Sequence, residues 1–127
     1  MSTEKIESWH DLIVWQKAHA SVLDVYRHTK NFPPEERYGL TSQLCRAAVS
    51  IPTNIAEGKG RGSLAEFRQF LVIARGSIEE TRYLLLLAKD LGFLPMESQN
   101  SLESIYTEIS KMTNALLRSL KTQALHS

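Results

Sequence analysis

The segment Leu44–Gly58 constrains the fold more than any other part of the chain. At about 100° per residue, Leu44, Ala47, Ala48, Ile51 and Ile55 fall on one side of a helix. Arg46, Ser50, Thr53 and Glu57 fall on the opposite side, with Asn54 beside them. Between these faces lie Cys45, Val49, Pro52 and Ala56, small enough to let another backbone come close. A helix built this way must bury its aliphatic face against other helices. Its internal proline removes a backbone donor, and Ser50 and Asn54 are placed to satisfy backbone groups that Pro52 frees.

The rest of the chain supplies partners for that face. A first helix is expected from about Asp11, as N-cap, to Lys30, with Leu12, Trp15, His19, Val22 and Tyr26 along its inner seam. Asn31-Phe32-Pro33-Pro34 stops it, and Pro34-Glu35-Glu36 is expected to open the second helix, which ends near Glu57. Gly58-Lys59-Gly60-Arg61-Gly62 reads as a flexible connector, with Gly58 taking φ > 0 at the helix terminus. Ser63-Leu64-Ala65-Glu66 is a capping box for a third helix reaching Leu91, where Gly92 is a good terminator. Pro95 begins a fourth helix with Leu102, Ile105, Ile109, Met112, Leu116 and Leu120 as its seam. Short connectors between long amphipathic helices predict an all-α, antiparallel up-down-up-down four-helix bundle. The chain is expected to be one domain spanning 1–127, with residues 1–9 and 122–127 as loose ends.

Composition narrows the function. Fifteen basic and fourteen acidic residues leave a net charge of +1, so a strongly basic nucleic-acid module is not indicated. Contact with phosphates has to come from how charge is distributed. The single Cys45 cannot form an internal disulfide, which fits a reduced, cytoplasmic setting. No signal peptide is visible in the first nine residues, and no run of about 18 apolar residues could span a membrane.

Two sets of polar residues stand out. Arg61, Arg68, Arg75, Arg82 and Lys89 recur at seven-residue spacing along the third helix and form one cationic stripe. Glu79 lies within pairing range of Arg75 and Arg82. Lys59, Arg61 and Arg68 have no such acid, so unpaired charge concentrates at the helix two–three end, and these three with Arg75 are the candidates for nucleic-acid contact. The alternative is a solvated, self-paired face. The second set is Arg46, Ser50, Thr53, Asn54 and Glu57. Arg46 and Glu57 are about 16 Å apart along the helix axis and cannot pair, so each is free for another helix, another subunit or a ligand. Leu84 to Leu87 project in four directions, and a bundle cannot bury all of them. Leu86 is the candidate for an outward leucine covered by a partner subunit.

No catalytic constellation emerges. The glycine-rich connector lacks the order of a phosphate loop and follows a helix. Glu7-Ser8-Trp9-His10 carries the Glu-x-x-His spacing of di-iron bundles only once, and His19 is expected as a hydrogen-bonded core residue. No enzyme activity, metal, cofactor or small-molecule substrate is expected.

Trp15-Gln16-Lys17-Ala18, Phe32-Pro33, Glu36 and Tyr38-Gly39-Leu40-Thr41-Ser42-Gln43-Leu44 form the first part of a longer pattern. Arg46 to Pro52, Asn54 to Gly58, Phe67, Phe70-Leu71, Ala74 to Ser77 and Glu79-Glu80 complete it. In these residues the chain resembles the bacterial 23S ribosomal RNA intervening-sequence proteins, also labelled S23 ribosomal proteins, from about Asp11 to Lys121. The resemblance implies four antiparallel helices assembling into a ring-shaped homopentamer. Some relatives are encoded inside large-subunit ribosomal RNA genes, and a related group binds RNA to assist diversity-generating reverse transcriptases. The family has no established catalytic residues to carry over. The function expected is therefore a non-catalytic accessory protein that binds structured RNA or a nucleoprotein. The rival is a protein-interaction scaffold with no nucleic-acid contact.

Overall fold

A computed structural model describes residues 8–126, with side chains through residue 123. The described residues form four helices and no strand: α1 (Ile13–Thr29), α2 (Leu40–Gly60), α3 (Leu64–Asp90) and α4 (Met96–His126). Single 3-10 turns at Trp9–Asp11 and Pro34–Glu36 precede α1 and α2.

Helix boundaries follow from local chemistry, and several differ from expectation. Asp11 does not cap α1. It closes a capping box one turn earlier, its carboxylate accepting from Ser8 N at 3.4 Å while Ser8 Oγ accepts from His10 N at 3.2 Å. The proline pair begins only a 3-10 turn, because Gly39 (φ −110°, ψ −113°) breaks the helical path. Glu36 Oε1 then accepts from Leu40 N at 3.1 Å and starts α2.

At its far end α2 runs through Gly58, Lys59 and Gly60, so the expected flexible connector shrinks to Arg61–Ser63. The positive φ belongs to Gly62 (85°), not to Gly58. Gly58 is instead needed for space: a Cβ there would lie 2.5 Å from Phe70 Cβ. Ser63 caps α3, accepting from Glu66 N at 3.1 Å, but the expected box is only half formed, because the Glu66 carboxylate turns toward Arg61 and not back to Ser63 N. Gly92 (φ 83°) terminates it, with Phe93 N donating to Ala88 O and Gly92 N to Lys89 O. The expected leader lies outside the described residues up to residue 7. The expected loose tail is helical through His126, since nothing after Lys121 interrupts α4.

The core lies between the four helices. Leu44, Ala47, Ala48, Ile51 and Ile55 of α2 are buried, as the sequence pattern requires. Facing them are Val14, Ala18 and Val25 of α1, Phe67, Leu71, Ala74 and Ile78 of α3, and Leu102, Tyr106 and Ile109 of α4. The inner seams of α1 and α4 are rotated from those expected. His19 and Tyr26 are exposed and Trp15 only half-buried, while Ser21 and Thr29 turn inward. On α4, Tyr106, Thr113 and Leu117 are buried, and Ile105, Met112 and Leu116 sit at the margin. Polar residues can face inward because their own helices satisfy them. Ser21 donates to Ala18 O at 2.7 Å, Thr81 to Ser77 O at 2.8 Å and Thr113 to Ile109 O at 2.8 Å.

Candidate functional site

The α2–α3 turn brings two of the four candidate cations together. Lys59 Nζ lies over the Phe67 ring at 5.8 Å from its centroid, and the Arg61 guanidinium lies over Phe70 at 5.2 Å. Each cation is thereby held against an aromatic face, a favourable contact that still leaves its charge directed toward solvent. Contrary to the sequence expectation, Arg61 has an acidic neighbour: its Nε is 3.9 Å from Glu66 Oε2. Arg68, one turn and a half into α3, is half-buried, and its Nε is covered without a hydrogen-bond partner among the described residues. Arg75 is exposed and donates to Asn114 Oδ1 at 3.3 Å, a neutral acceptor that leaves the charge uncompensated.

The second half of the cationic stripe is spent on structure. Arg82 Nη1 is 3.2 Å from Glu79, and its Nε donates to Glu103 Oε1 of α4 at 2.9 Å. The hydrogen bond with Glu103 raises the Arg82 pKa further above its ordinary value, so this cation is fixed. Lys89 pairs with Asp90 at 3.2 Å. Glu79 thus serves Arg82, not Arg75, and positive charge remains at the α2–α3 end.

The polar stripe of α2 divides in the same way. Ser50 Oγ and Ser77 Oγ of α3 share a hydrogen bond at 2.8 Å. Asn54 Nδ2 donates to Ser50 O at 2.7 Å and to Ser50 Oγ at 2.9 Å, and Thr53 Oγ1 donates to Val49 O at 2.7 Å. These three residues are therefore occupied within the protomer, around the proline. Arg46 and Glu57, at the ends of the stripe, make no ion pair among the described residues. Arg46 lines a depression of about 420 Å³ with Tyr38, Ser42, Gln43 and Glu80. Of the leucine run, Leu84 and Leu85 are buried and Leu86 is 41% exposed.

One feature of this surface was not anticipated. Trp9, His10, Trp15 and His19 stack along the outside of α1: Trp9 on His10 at 3.5 Å, Trp9 edge-on to Trp15 at 4.6 Å, and Trp15 parallel to His19 at 5.2 Å. Trp9, Trp15, His19 and Val22 wall a groove of about 530 Å³ whose other side is Val49, Pro52, Thr53, Ala56 and Glu57 of α2. The i,i+4 spacing of Trp15 and His19 was the available signal. Among the described residues no three His, Cys, Asp or Glu side chains converge as metal ligands, and no helix is long and apolar enough to cross a membrane.

Comparisons with known proteins accord with this architecture. Residues 10–115 match the family described as 23S rRNA-intervening sequence protein. A solved structure of a protein of unknown function from the S23 ribosomal protein family of Bacteroides thetaiotaomicron is similar, at 26% identity and a TM-score of 0.77. That match covers 84% of this chain and 96% of the other. No curated protein matches the chain.

Proposed function

The chain belongs to the 23S rRNA-intervening sequence protein family, and from that premise we propose that it is a non-catalytic, cytoplasmic accessory protein that binds structured RNA or a nucleoprotein. The observation that carries this reading is the α2–α3 turn, where Lys59 and Arg61 stand over phenylalanine rings, with Arg68 and Arg75 continuing along α3. Cations held against rings lose less freedom on meeting a phosphate, and arginine's planar fork suits that ligand. The chain acts as one domain with its helices in antiparallel up-down-up-down order. The antiparallel order of α3 and α4 is supported by Arg75 reaching Asn114 while Arg82 reaches Glu103, and Lys17 pairing with Glu108 at 2.8 Å sets α1 beside α4. Assembly into a homopentameric ring repeats the basic turn around the ring and compensates for the small net charge.

The competing reading, a protein-interaction scaffold, is favoured by the depression around Arg46, Glu80 and the 87% exposed Tyr38. Anisotropy of a labelled structured RNA, titrated across a salt series, separates the two. Submicromolar binding that weakens steeply with salt, and that Lys59→Glu/Arg61→Glu abolishes, is the expected result. A well-folded protein that binds no RNA at low salt overturns it.

A further inference from the structure

The α1–α2 groove and the outer surface of α3 carry opposite chemistry on different faces of one protomer. The groove is apolar and aromatic, walled by Trp9, Trp15, Val49, Pro52 and Ala56, and its carboxylate, Glu57, has no cationic partner among the described residues. On α3, Val72 and Ile73 are 46% and 52% exposed, and both border the same surface depression as Arg68 and Phe70. Arg68 makes no ion pair among the described residues, and its covered Nε lacks an acceptor. The other exposed apolar pair on α3, Tyr83 and Leu86, borders Glu79, Glu103 and an Arg82 already engaged by both acids. Charge therefore selects Arg68-Val72-Ile73, and not Tyr83-Leu86, as the match for a groove holding Glu57.

We propose that the Val72-Ile73 ridge of one copy of this chain seats in the Trp9-Trp15-Pro52 groove of the next, with Arg68 of the ridge meeting Glu57 of the groove. The inference rests on the assembly proposed above and names its contact. Because the two patches differ, the contact is heterologous: each copy offers its groove to one neighbour and its ridge to another, which generates a ring if the rotation closes. Arg68 then serves the subunit contact, and Lys59, Arg61 and Arg75 are left for phosphate.

The test compares native mass, by light scattering, for the full chain and for Glu57→Arg, Arg68→Glu and the double variant, with far-UV circular dichroism confirming the fold. Each single reversal is expected to lower the mass, and the double to restore it. The only tryptophans in the chain are Trp9 and Trp15, so intrinsic fluorescence reads the groove directly. Emission is expected to shift to the red on dissociation by Ile73→Glu, which touches no groove residue. An oligomer whose mass ignores both charge reversals, or whose tryptophan emission is unmoved when Ile73→Glu dissociates it, overturns this contact and leaves the assembly standing. A monomeric wild-type chain overturns both.

Discussion

Gly58 shows how a correct residue can be chosen for the wrong reason. From sequence it reads as a helix terminator with φ > 0, yet it lies inside α2, and its missing side chain lets α3 approach. A Cβ at 58 would meet Phe70 Cβ at 2.5 Å and Phe67 Cδ1 at 3.2 Å, whereas a Cβ at the neighbouring Gly60 would meet nothing within 4 Å. Gly58→Val is therefore expected to destabilise the protein by about 1–3 kcal/mol through overpacking. Gly60→Ala should stabilise it by about 0.5–1 kcal/mol, because both sites are helical. Chemical denaturation of the two variants checks the pair of signs. Tyr106 offers a second test at this scale. Burial is the main cause that pushes its pKa from 10.0 up to about 12, and its hydroxyl has no hydrogen-bond partner among the described residues, since the Ser21 hydroxyl donates to Ala18 O instead. The folded-state value lies above the unfolded one, so this contribution is whole below pH 10 and is lost as pH rises from 10 to 12. The gap amounts to about 3 kcal/mol. Tyr106→Phe should be neutral or stabilising at pH 7 and should remove that part of the alkaline loss, as read from stability measured against pH.

At the scale of the helix, periodicity revealed which segments are helical but not always which way they face. On α2 the face was legible because Leu44, Ala47, Ala48, Ile51 and Ile55 are aliphatic or small and their opposites are polar. On α1 and α4 it was not, since reading the largest apolar residues inward selects Trp15, Tyr26, Met112 and Leu116 over Ala18, Ser21 and Thr113. Those small and hydroxylated residues become good core residues only once their hydroxyls bond to their own helix, which the pattern does not display. Boundaries followed side-chain capping where the capping residue acts within its own helix, as Ser63 does. They were missed where Glu36 reaches forward across Gly39 to Leu40. Ser63→Ala is expected to cost about 1 kcal/mol and to loosen the first turn of α3, and with it the setting of Arg61 and Arg68. Amide hydrogen exchange should show that loss confined to the α2–α3 end. Protection lost uniformly along α3 would instead mean that the cap supports the whole helix.

For the whole molecule, a near-zero net charge conceals an uneven distribution: Arg82 and Lys89 are paired, while Lys59, Arg61 and Arg75 keep most of their charge at one end. This much was partly legible, because the seven-residue spacing named the stripe. Which cations are neutralised depends on α4, through Glu103 and Asn114, and no local pattern reports that. One protomer offers too few free cations for tight RNA binding, since each phosphate contact contributes a salt slope of only about −0.7 to −0.9. If a ring supplies affinity by presenting the same turn several times, RNA binding and assembly must fail together. Ile73→Glu introduces a charge on the exposed face of α3 that carries the proposed subunit contact and alters none of Lys59, Arg61 or Arg75. It is expected to lower the native mass, weaken RNA affinity more than tenfold and flatten its salt slope toward that of a single turn. Equal affinity and slope in a dissociated variant would place recognition within one bundle, and the ring would then need a different purpose.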